Sequence, residues 1–117
     1  MTVLTYKILR ASEWAEMGAS ASFDGAPVDL ADGYIHLSYA HQVAGTLSRH
    51  FTNPDEVLFL LEIDTTALAG AMKVEPSSRG ELFPHLYAPL PLAAVRRWWG
   101  LPCTDTGQRI VPDLEAG

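Results

Sequence analysis

The segment Val57-Leu58-Phe59-Leu60-Leu61-Glu62-Ile63 constrains the fold more than any other part of the chain. It is a nearly continuous apolar run of strand length. Successive strand side chains point to opposite sides, so such a run is expected as a central strand buried on both faces. At 117 residues, with 48% hydrophobic and 19% charged side chains, the chain has the size and composition of one globular domain with one core. Residues 1–117 are read as that domain, with the core over about 3–100 and a tail over about 101–117.

Around the central strand the pattern predicts an α+β arrangement. Val3 to Leu9 reads as a strand. Ser12 and Glu13 read as the cap and first turn of a short helix carrying Trp14 and Met17, which Gly18 stops. Ala19 to Gly33, rich in Ala, Ser, Gly and Asp, reads as a surface loop with the character of a lid. Ser38 is placed to cap a helix whose Ala40, Val43, Ala44, Leu47 and Phe51 share one face, ended by Asn53-Pro54-Asp55. Asp64 caps a short turn through Leu68, Met72 to Glu75 is a strand, and Ser77 to Gly80 is a turn. Leu92 to Val95 is a helical turn, Val95 to Gly100 is ambiguous, and Gln108 to Val111 is a last strand before a frayed end.

Two short segments carry the chemistry. In Tyr34-Ile35-His36-Leu37-Ser38 alternation puts Tyr34, His36 and Ser38 on one face; in Leu82-Phe83-Pro84-His85-Leu86-Tyr87 it puts Phe83, His85 and Tyr87 together. Two such faces meeting make an aromatic-lined polar cleft, with His36 and His85 as proton carriers or ribose-hydroxyl partners. Glu81, just before the second segment, is a carboxylate placed to orient a nucleophile or stabilise a cationic transition state. Lys7 and Arg10, near the end of the first strand, are candidates to meet a phosphate. A metal site is the alternative use of the histidines, assembled by folding from His36, His41, His85 and Glu81.

Other classes are disfavoured. Fourteen acidic against eight basic side chains give a net charge of −6, which repels extended nucleic acid but not one small phosphate ligand. The single cysteine, Cys103, forms no internal disulfide and reads as a loop or strand-end thiol. No apolar stretch approaches the roughly 20 residues of a membrane span, and no basic-then-apolar leader opens the chain, so a soluble cytoplasmic protein is expected. There is no Gly-x-x-x-x-Gly-Lys, Gly-x-Gly-x-x-Gly or Gly-x-Ser-x-Gly signature. Trp98 and Trp99 cannot both face the core of an extended segment, which leaves one for an interface such as a homodimer.

Asp32-Gly33-Tyr34-Ile35-His36-Leu37-Ser38, Gln42-Val43-Ala44, Glu75, and Gly80-Glu81-Leu82-Phe83-Pro84-His85-Leu86-Tyr87 with Pro89-Leu90-Pro91 and Val95 closely resemble the bacterial family called domain of unknown function 952. The resemblance runs from Tyr6-Lys7-Ile8 to about Val95. More distantly, the order of elements and the His36-Leu37-Ser38 strand are similar to the RNA 2′-phosphotransferases of the ADP-ribosyltransferase superfamily. That similarity implies an ADP-ribosyltransferase-like split, mixed β-sheet with flanking short helices and an NAD or ADP-ribose cleft between its halves. It implies Lys7 at the first-strand position, His36 with Ser38 in the second motif, and His85, Tyr87 or Glu81 in the third. The expected activity is nucleotide binding, with transfer of ADP-ribose to a small substrate: His36 contacts the ribose, Tyr87 packs on the base, Tyr34 and Ser38 line the cleft, and Glu81 steers the nucleophile. The chain has no Arg-His pair or His-Gly-Thr near its first strand and no Glu-x-Glu near its end. A non-catalytic nucleotide-binding module is therefore the second expectation, and a structural or dimeric protein without ligand the third.

Overall fold

The computed structural model describes residues 4–114. The run identified above becomes strand β4 (Leu58–Asp64), which lies between β1 (Leu4–Arg10) and β8 (Val95–Gly100). Leu60, Leu61 and Ile63 are fully buried, as expected for a central strand, while Val57 falls outside the strand and is exposed. Each fully buried aliphatic side chain contributes about 1.5–3 kcal/mol of transfer free energy. The ambiguous Val95–Gly100 segment is the edge strand of this sheet, and the Val3 predicted to open β1 lies outside the described residues.

Two hydrophobic clusters cover the two faces of β4. On one side Leu9, Leu61 and Ile63 pack with Met17, Phe23, Ile35, Leu37, Leu86 and Leu90. On the other, Leu4, Tyr6, Ile8, Leu58 and Leu60 pack with Val43, Leu47 and Leu101. Helix α3 (Val43–His50), preceded by a 3-10 turn over Ala40–Gln42, supplies Val43 and Leu47 to the second cluster, as the helical spacing predicts. Ser38 does not cap it: the turn starts after Tyr39, whose N–H is accepted by Gln42 Oε1, and Ser38 Oγ instead pairs with Thr46 Oγ1 at 3.2 Å.

Helix α1 (Ala11–Ser20) begins one residue before the predicted Ser12 cap, because Glu13 Oε1 accepts the Arg10 N–H at 2.8 Å. It runs past Gly18 and ends at Ala21 in the left-handed conformation. The segment predicted as a loop over 19–33 is structured. It contains β2 (Ser22–Phe23), paired with β7 (Leu90–Pro91), and helix α2 (Pro27–Asp32), closed by Gly33 at φ +86°.

A second three-stranded sheet, in the order β3 (Ile35–His36), β6 (Leu82–Leu86), β5 (Met72–Pro76), carries both histidines. The two sheets are joined by reciprocal hydrogen bonds between Tyr6 and Ser38. The arrangement is α+β, but every strand pairing among the described residues is antiparallel, so the mixed sheet expected from the resemblance is not present. The predicted strand over 108–111 is a single Cys103–Arg109 bridge. The described part of the tail is held down by Arg109, which donates to the carbonyls of Leu101, Asn53 and Glu56, and by Val111 and Leu114 on the second cluster. No described helix is long and apolar enough to cross a membrane.

Candidate functional site

The register of the small sheet assembles the site. His36 sits opposite His85, which sits opposite Lys73. Strand alternation then places Tyr34, His36, His85, Tyr87, Lys73 and Glu75 on one face, while Ile35, Leu86 and Pro84 take the other. Pro84 does not interrupt β6: its carbonyl accepts the Leu37 N–H at 3.0 Å, and its missing donor falls where the short β3 ends.

Tyr34 is the hub of this face. Its ring centroid lies 4.0 Å from that of His85, 4.6 Å from His36 and 5.2 Å from Tyr87, and the two imidazoles are 5.5 Å apart. His85 is only 3% exposed, covered by Tyr34, whereas the His36 side chain is 33% exposed. Each imidazole is held by a carboxylate. Asp29 Oδ1 meets His36 Nδ1 at 2.6 Å and Asp32 Oδ2 meets His36 Nε2 at 2.9 Å; Glu75 Oε1 meets His85 Nδ1 at 2.9 Å. Glu75 Oε1 also accepts the Tyr87 hydroxyl at 2.6 Å. That hydrogen bond pushes the Tyr87 phenol up to about 12, and the same bond, with the one to His85, holds Glu75 below the usual carboxylate range.

Asp29, the N3 residue of α2, anchors the wall behind His36. It is 1% exposed and accepts from the N–H groups of Ala26 and His36 as well as from the His36 ring. Lys7 Nζ reaches across from β1 to Asp29 Oδ2 at 3.0 Å and donates to the His36 carbonyl at 2.9 Å. Burial alone would raise Asp29, but the hydrogen bond from His36 and the charge on Lys7 bring it down to about 2. Burial also draws Lys7 below its ordinary value, against the pull of Asp29. A cleft of about 340 Å³ is lined by Asp24, Asp29, Leu30, Tyr34 and Tyr87 and, from the opposite face of the small sheet, by Ile35 and Leu86; Tyr34 and Tyr87 stand between it and the two histidines, neither of which lines it.

Of the residues predicted from sequence, the structure brings together Lys7, Tyr34, His36, His85 and Tyr87. Lys7 is buried behind the wall, not presented to a phosphate. Arg10 is elsewhere, bonded to Glu56 at 2.8 Å and lying over Phe51. Ser38 is turned to Thr46, and exposed Glu81 accepts from Gln42 at 3.0 Å. The four-residue metal alternative is not assembled either: His41 stacks on Tyr39, and the described residues contain no group of three His, Cys, Asp or Glu able to hold a metal ion.

Sequence reasoning missed Asp29, Asp32 and the role of Glu75. The signal for the first two was present: Pro27 at the first helical position, an acid at N3 and Gly33 just past the end mark a short helix. No local signal pairs Glu75 with His85, since the pairing depends on the β5–β6 register.

No curated protein matches the chain. The crystal structure of protein CC0527 from Caulobacter crescentus is 38% identical, with 92% of this chain and 94% of that chain covered and a TM-score of 0.83. The solution NMR structure of CC0527 is 40% identical over 89% of each chain, with a TM-score of 0.78. The family model described as protein of unknown function (DUF952) matches residues 8–98, which include Lys7's neighbour Ile8, both histidine segments and the whole of β4. The chain therefore belongs to the DUF952 family.

Proposed function

We propose that this protein binds NAD or a related nucleotide through its nicotinamide–ribose end at the Tyr34–Tyr87 cleft. One observation carries the reading. His36 is the partly exposed imidazole of the cluster, it is fixed from behind by buried Asp29, and its ring lies 4.6 Å from that of Tyr34, which with Tyr87 and Asp29 lines a cleft of about 340 Å³. A flat ring packs on Tyr34 and Tyr87, and ribose hydroxyls replace Asp32 on His36 Nε2. His85, enclosed beneath Tyr34, is a positioning residue that sets Tyr34 and Glu75. The carboxylate near the ribose is that of Glu75 or Asp32 and not Glu81.

As an enzyme, the protein would break the bond between ribose C1′ and the pyridinium nitrogen. The electron pair leaves on nitrogen as neutral nicotinamide, and an acceptor bonds to C1′ and releases its proton to solvent. The carboxylates beside the ring face the positive charge that develops on the ribose. A second reading, binding without turnover, is favoured by the polar partners already made within the cluster: Lys7, Asp29 and His36 hold one another, and Glu75 holds His85.

A thermal-shift titration with NAD, ADP-ribose and nicotinamide tests the proposal. Ligand at about one hundred times Kd adds roughly 2.7 kcal/mol. Stabilisation that His36→Ala removes supports the cleft; no stabilisation by any of the three ligands refutes it. Release of nicotinamide on incubation with NAD separates the enzyme from the binding module.

A further inference from the structure

The large sheet, in the order β1, β4, β8, has two edges that differ. On the outer side of β1, Tyr6 exchanges hydrogen bonds with Ser38. The outer side of β8 meets no strand among the described residues. Leu101 donates its N–H to the Leu58 carbonyl at 3.0 Å, in the same register that sets Leu60 opposite Trp99 and Leu61 opposite Trp98. Antiparallel ladders alternate, so the backbone groups of Trp99 point to β4, and those of Trp98 and Gly100 point away from the sheet. Such an edge pairs with another strand unless charge, proline or a covering segment prevents it. β5, at the edge of the small sheet, carries Lys73, Glu75 and Pro76. On β8 the charges are drawn back over the face of the sheet. Arg97 donates from Nε and Nη2 to buried Glu62 at 2.9 Å each, and Arg96 Nε lies 3.8 Å from the same carboxylate.

The side chains of this edge are self-complementary about Trp98. Trp98 is 53% exposed and stands 5.6 Å from Trp14 and 5.9 Å from Phe59 on one face, while on the other Arg97 lies over the Trp99 ring at 5.0 Å. A two-fold axis perpendicular to the sheet keeps each face on its own side. Centred on Trp98, it sets the two Trp98 side chains together and each Arg97 against Trp99 of the other copy. Guanidinium then meets an aromatic ring, and the cluster of Trp14, Phe59 and Trp98 continues across the axis. Centred on Arg97, the same pairing would oppose like charges. Centred on Trp99, it would bring Pro102, which has no N–H, into the ladder.

We propose that two copies of this protein associate through β8, antiparallel and centred on Trp98, so that their large sheets become one continuous sheet. A six-residue strand flanked by Trp98 and Trp14 falls short of the roughly 800 Å² per partner of a standard interface, which sets the expected dissociation constant in the micromolar range.

Sedimentation equilibrium of the full chain from about 10 μM to about 1 mM tests this, and a monomer–dimer equilibrium is expected. Trp98→Lys and Trp98→Glu each set like charges against one another at the axis and are expected to weaken the dimer at least about tenfold, whereas an equimolar mixture of the two regains it. Amide hydrogen exchange of the unsubstituted protein gives a reading that needs no variant: the Trp98 N–H should exchange severalfold more slowly at the upper concentration than at the lower. A monomer throughout, or Trp98 exchange that does not change with concentration, overturns the dimer. A dimer that both variants keep overturns the β8 edge, and a mixture that stays monomeric overturns the centre at Trp98.

Discussion

Asp29 and His36 are joined twice by a single oxygen: Asp29 Oδ1 accepts both the backbone N–H of His36, at 3.0 Å, and its ring Nδ1, at 2.6 Å. The first contact fixes where β3 starts, and the second fixes how its imidazole is turned. With Lys7 on the other oxygen, one buried carboxylate ties α2, β3 and β1 together.

Asp29→Asn keeps the shape of the side chain and removes its charge, which leaves Lys7 buried without a counter-ion. Loss of one partner of a buried pair costs about 3–5 kcal/mol. Urea denaturation is expected to show a loss of this size. A loss below about 1 kcal/mol would mean that Lys7 reaches solvent.

The same carboxylate sets an acid limb of stability. Its folded value of about 2 lies below the ordinary 3.8, so its contribution is fully present above roughly pH 4 and is lost as the pH falls through about 2. The difference corresponds to about 2 kcal/mol. Between roughly pH 4 and pH 2 the native protein should lose stability more steeply than Asp29→Asn, in which this group no longer titrates. Parallel curves for the two proteins would contradict the Asp29 environment.

Glu75→Gln removes the charge that holds the Tyr87 proton. The Tyr87 phenol, up at about 12, should fall toward 10.0. Ultraviolet titration of phenolate, with Tyr87→Phe subtracted to isolate one of the four tyrosines, reads the change directly. An unchanged titration would show that Glu75 and Tyr87 do not meet in solution.

Gly25 has φ +133°, and a Cβ built there would stand 2.9 Å from the Asp29 Cβ, whereas Gly33, at φ +86°, has open space around it. Gly33→Ala therefore carries backbone strain of about 1 kcal/mol. Gly25→Ala adds a collision with the residue that organises the site, and should cost about 2–3 kcal/mol and also weaken ligand binding. Thermal unfolding of the two variants side by side checks the ordering; equal losses would remove the collision from the account.

What the chain determined by itself is what local periodicity encodes. The unbroken apolar run of β4, the apolar face of α3 with Val43 and Leu47, and the alternation that sets Tyr34 with His36 and His85 with Tyr87 each depend on side chains within a few residues of one another. The tertiary structure decided which of those faces meet and which charges complete them. Lys7 meets Asp29 from 22 positions away, and Glu75 meets His85 from ten, because strand register and the docking of α2 bring them there. The same long-range pairing turned Ser38 to Thr46, Glu81 to Gln42 and Arg10 to Glu56, away from the cleft that their sequence positions suggested. A charged group's partner is chosen by where burial leaves it, and burial is a property of the whole fold, not of the segment that carries the charge.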